Sequence, residues 1–64
     1  MNNADRDRMT ADMYTDLVFD GYTGANAARE TARQQGIAPG TVRARVRRHW
    51  NREALANAAS RRNA

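Results

Sequence analysis

Alanine outnumbers the bulky aliphatic and phenylalanine side chains almost two to one in this 64-residue chain, thirteen against seven. The seven are Leu17, Val18, Phe19, Ile37, Val42, Val46 and Leu55. So little bulk supports one small core at most. It does not suffice to wall off the concave apolar pocket of a conventional enzyme, so no catalytic role is expected. It also brings the chain near the composition of disordered segments. A stable fold must therefore bring helices close together across alanine instead of filling a wide interior.

Charge narrows the partners. All eleven basic residues are arginine, lysine is absent, and the net charge is +4. Residues 1–20 carry two arginines and five aspartates, net −3; residues 21–64 carry nine arginines and two glutamates, net +7. A basic segment of that density points to a polyanion, most often nucleic acid. The chain has no cysteine, which excludes a disulfide scaffold and a thiolate zinc site. No apolar run approaches the roughly 20 residues of a membrane span, and the acidic start is not the pattern of a signal peptide. A cytoplasmic, nucleoid-associated protein without metal or cofactor is the expectation.

The pattern along the chain is all-α, a small domain of three helices with room for a fourth. Residues 1–9 are polar and read as a mobile arm or frayed start. Thr10 has the chemistry of an N-cap, and Met9, Met13, Leu17 and Val18 recur at helical spacing, so a first helix is predicted over about 10–20. Gly21 and Gly24 punctuate its end. A second helix is predicted over 24–35, with Ala25, Ala28 and Ala32 inward and Gly36 as its stop. Pro39, at the favoured first position, opens a third over 39–50 with Val42, Val46 and Trp50 on one face. Asn51 either caps a short fourth helix or lets the third continue through the alanine-rich 51–59. Residues 61–64 are expected to fray.

The segment from Ala28 to Trp50 carries the functional signal. Two helices joined by a short glycine-containing turn form the helix-turn-helix pattern. Ala32 lets the helices cross closely, Gly36 permits the tight turn, and Ile37 plugs the angle between them. Val42 and Val46 then seal the second helix of the pair onto the first. The run Ala32-x-x-x-Gly36-Ile37-x-x-x-Thr41-Val42-x-x-x-Val46 resembles the bacterial helix-turn-helix signature. It is most similar to the C-terminal DNA-binding part of factor-for-inversion-stimulation-type regulators. The resemblance covers residues 28–50. Thr31 and Gln35 stand where such motifs place apolar residues, which predicts thinner packing between the second and third helices. Residues 1–22 do not match the long dimerising helices of that family.

The resemblance implies docking of the third helix in the major groove with the second braced on the backbone. Gly40 and Ala44 are small enough to let the helix approach a groove floor. Arg43 and Arg47, one turn apart beside them, are the candidates for base-edge contact, because arginine donates bidentately to guanine O6 and N7. Arg45, Arg48 and Arg52, with Thr41 and with Arg29 and Arg33 of the second helix, are the candidates for phosphate. The plain alternative is a solvated face, since arginine is a good helix former and cations suit a helix C-terminus. His49, Trp50 and Tyr22 read as structural residues. Asp12, Asp16 and Asp20 form an i, i+4 row of like charge without the spread of a metal site, suited to pairing with arginines of a neighbour or of the second helix.

The leading expectation is a small regulator of phage, plasmid or mobile-element type, such as a repressor, that binds double-stranded DNA sequence-specifically. The thin core argues for a homodimer. The alternative is a protein-interaction module, or an architectural or recombination directionality factor, that uses the same scaffold to dock on transcription or recombination machinery. RNA or single-strand binding ranks below both, because no aromatic platform interleaves the arginines in the sequence.

Overall fold

A computed structural model describes residues 2–62. They form three helices, α1 (Asn3–Phe19), α2 (Gly24–Gln35) and α3 (Pro39–Arg62), each packed against the other two, with no strand among the described residues.

α1 begins well before the expected start. The Asn2 side chain accepts from the Asp5 amide at 2.8 Å and caps the helix, and Asp5 in the first turn complements its dipole. Most of the segment read as an arm is thus helical. Thr10 is not a cap. It is buried within α1, where its hydroxyl donates to Gln35 Oε1 at 2.7 Å. The inward face is also rotated from the one expected. Asp7, Thr10 and Ala11 are buried and Tyr14 is half-buried, an i, i+3, i+4, i+7 set, whereas Met9 and Val18 are exposed. Of the expected stripe, Met13 and Leu17 are half-buried and only Met9 and Val18 lie outside; the most buried positions hold an aspartate and a threonine, which an apolar periodicity does not mark.

Local signals fare better at the α1–α2 and α2–α3 junctions. α1 closes with the Gly21 amide donating to the Val18 carbonyl and the Tyr22 amide to that of Leu17, both at 3.0 Å. That is a Schellman arrangement. Thr23 caps α2, accepting from the Asn26 amide at 3.2 Å. Gly36 ends α2 at φ 68°, a left-handed conformation open to glycine at little cost. The Ile37 amide then returns to the Ala32 carbonyl at 3.0 Å while its side chain packs on the core. Of the expected inward residues of α2, Ala28 and Ala32 are buried, but Ala25 is exposed; Ala27 and Thr31 complete the face.

Pro39 opens α3 as expected, and the helix does not stop near residue 50. It runs unbroken for 24 residues, so Asn51 lies in its middle and caps nothing, and residues 61 and 62 are helical too. Residues 63 and 64 of the expected frayed tail lie outside the described residues. At about 1.5 Å per residue the helix is roughly 36 Å long, nearly the 40 Å of the longest molecular axis. Residues 51–61 are all exposed. Helix formers such as arginine, alanine and glutamate extend α3 past the point where tertiary packing ends.

The core consists of Ala11, Ala28, Ala32, Val42 and Val46, with Tyr14 and Ile37 packed against it. Two valines and three alanines suffice because small side chains let three helices converge. Trp50, expected in the seam, is 52% exposed. Among the described residues, one buried side-chain polar atom lacks a partner: the Oγ1 of Thr31, a residue with no exposed surface. An unsatisfied buried hydroxyl costs about 1–3 kcal/mol. Thr31→Val keeps the branched shape and removes the orphan. Chemical denaturation of this variant should show a gain of about 1 kcal/mol over the parent.

Candidate nucleic-acid interface

α3 displays its arginines along two stripes, and the fold treats them differently. Arg45, Arg48 and Arg52 share one stripe, turned toward α1. Arg48 donates from Nε to Asp7 Oδ2 at 3.1 Å and from Nη2 to Oδ1 at 3.2 Å; Arg52 Nη1 donates to Oδ2 at 2.6 Å. Asp7 is 1% exposed, sealed beneath the two guanidinium groups. The hydrogen bond from Arg48 holds its carboxyl below the usual carboxylate range; burial opposes this, and Arg52 adds to the lowering. Asp7 in turn raises the Arg48 guanidinium. Arg45 Nη1 donates to Thr10 Oγ1 at 3.4 Å, and Thr10 passes the chain on to Gln35. This chain of side chains links all three helices, and it explains why Gln35 stands at a position where an apolar residue was expected.

Three residues proposed for phosphate contact are therefore anchored to α1. Anchoring does not exhaust them. A guanidinium has five N–H donors, of which Arg48 spends two and Arg52 one on Asp7. Both side chains remain about half exposed, so their outer edges still face solvent. Asp7 itself escaped sequence reasoning, because its partners lie 41 and 45 residues away. The available signal was its i, i+3, i+4 relation to Thr10 and Ala11.

The second stripe is open. Gly40, Arg43, Ala44 and Arg47 follow i, i+3, i+4, i+7 and so share a helix face. Arg43 and Arg47 make no hydrogen bond or ion pair among the described residues and are exposed. A Cβ placed on Gly40 would meet nothing within 4 Å, so approach to this end of the stripe is unobstructed. Ala44 and Thr41 are half-buried. On α2, Arg33 is held bidentately by Glu30 at 2.6–3.1 Å, and Arg29 donates to Asn26 Oδ1 at 3.3 Å. The hydrogen bonds between them lower the Glu30 carboxyl and raise the Arg33 guanidinium.

Beside the open stripe, Trp50 and Tyr14 form a T-shaped pair with ring centroids 6.2 Å apart and planes at 66°. These two rings, with Arg43, Val46, Arg47 and Asn51, line an open groove of about 260 Å³. His49 is half-buried, its Nε2 3.8 Å from Glu53. Asp12, Asp16 and Asp20 are exposed and make no ion pair among the described residues. Within the described residues no cluster of three or more His, Asp or Glu has the arrangement of a metal site, and no helix is long and apolar enough to cross a membrane. Comparison of the chain with protein-family models, with curated proteins and with solved structures finds no match.

Proposed function

We propose that α2, the turn at residues 36–38 and α3 act as a helix-turn-helix, and that the protein is a small sequence-specific regulator binding double-stranded DNA. The observation that carries this reading is the open stripe. Arg43 and Arg47 stand without partners among the described residues, beside the small residues Gly40 and Ala44, which leaves their donors available for guanine edges in a major groove. Arg45, Arg48 and Arg52 flank them, steadied by α1, with outer N–H groups turned to phosphates. Thr41, Arg29 and Arg33 brace the backbone from the start of α3 and from α2.

Homodimerisation belongs to the same reading. Among the described residues, Phe19 at 84% and Leu55 at 72% exposure are the least covered large apolar side chains, and residues 53–61 of α3 are exposed beyond the Arg52–Asp7 ion pair. A second copy would cover that surface and place two recognition helices about 10–10.5 bp apart on a palindromic site.

Salt dependence tests the electrostatic half of the proposal. With about five phosphates neutralised, log K should fall linearly with log salt at a slope of about −4 to −5. A flat response would overturn the DNA reading and favour a protein-interaction module.

A further inference from the structure

The groove between α1 and α3 combines two chemistries that duplex reading alone does not need. Its walls are aromatic and apolar, from Trp50, Tyr14 and Val46, and its rim carries the guanidinium groups of Arg43 and Arg47, which have no partner among the described residues. None of its lining residues is acidic. Such a surface selects a ligand with a flat aromatic body and an attached anion. A base inside a duplex is excluded, since its faces are covered by its stacked neighbours. An unpaired base offers an open face for stacking and its phosphate lies a few ångströms away. Trp50 being half-exposed, against the expectation that it packs the core, is what opens the platform.

We infer that this groove holds one unpaired nucleotide of a DNA strand, its base stacked on Trp50 and its phosphate between Arg43 and Arg47. The aromatic platform missing from the linear sequence is assembled in space, because α1 brings Tyr14 against α3. The inference extends beyond duplex reading while sharing its two arginines, so an unpaired strand and a duplex compete for one copy of the protein.

Trp50 is the sole tryptophan, so its fluorescence reports the site directly. Titrating the full chain with short oligothymidylate should quench it saturably. An abasic strand of equal length and inorganic phosphate should not. By anisotropy of a labelled oligothymidylate, Trp50→Ala should weaken binding about tenfold or more, and Trp50→Phe should restore most of it. Should Trp50→Ala lose its helical circular dichroism, Arg47→Gln supplies the check: helicity unchanged and oligothymidylate binding weakened. Absence of quenching, equal quenching by the abasic strand, or undiminished binding by folded Trp50→Ala would overturn the inference. So would an acidic aromatic peptide that quenches while oligothymidylate does not. Duplex binding without oligothymidylate binding sinks this inference alone; the converse sustains it and sinks duplex reading.

Discussion

Replacing Arg43 and Arg47 together by alanine is expected to erase base discrimination while leaving the fold intact. Each bidentate arginine–guanine contact is worth about 1–3 kcal/mol of discrimination, so the pair accounts for roughly a 30-fold to 10⁴-fold preference. Neither side chain has a hydrogen-bond or ion-pair partner among the described residues. Arginine and alanine are both good helix formers, so the thermal midpoint should barely move. Binding isotherms on preferred and scrambled duplexes at one salt concentration read the effect directly. The parent should separate the two duplexes and the double variant should bind both alike. Arg48→Ala should behave differently, weakening both duplexes together and lowering stability, because it uncovers Asp7. Unchanged discrimination in the double variant would mean that the open stripe does not face bases.

The second large effect concerns Asp7. This carboxylate is buried under two guanidinium groups and ties the start of α1 to the middle of α3. Hydrogen bonds to charged groups contribute about 1.5–3 kcal/mol, and Asp7→Ala should cost an amount in that range. The larger penalty of stranding a buried charge does not arise, since both arginines stay half exposed. A chain of this length has a total stability of only about 3–10 kcal/mol, so the loss is a large share of it. Asp7→Asn, which keeps the volume and one acceptor, should lose less. The pH dependence follows from linkage. The folded-state pKa of Asp7 is lowered from 3.8, so its ion pairs stabilise the fold fully above that ordinary value. That contribution is lost as pH falls from 3.8 through the lower folded-state pKa. Urea midpoints in the parent should fall as pH drops below 3.8. In Asp7→Ala they should fall less, by the share that Asp7 carries.

How much of this was legible in the sequence depended on whether the cause was local. The bounds of α2 and the start of α3 could be read because Thr23, Gly36 and Pro39 act on backbone groups within a few residues. The start of α1 is not legible locally, because Asn2 sits in a polar run and Asp7 is buried by arginines 41 and 45 residues away on α3. Trp50 looked like a seam residue by its i+4 relation to Val46. In the fold the seam ends at Val46, and Trp50 forms a T-shaped pair with Tyr14 instead. The arginine spacing separated the two stripes of α3. It carried no information on which one α1 would occupy, since that depends on contacts more than 30 residues apart. The scarcity of bulky side chains proved compatible with a fold because Ala11, Ala28 and Ala32 take the places where bulk would have held the helices apart.

The central claim, that the Arg43–Arg47 stripe reads base sequence in duplex DNA, is tested most directly by selecting ligands from random duplexes. The affinity of the enriched duplex is then compared with that of the starting pool at physiological salt. A specific regulator should bind the enriched duplex about 10³-fold tighter or more, with a palindromic pattern whose guanines are lost as determinants in the double arginine variant. Equal affinity for the enriched and unselected pools would contradict it.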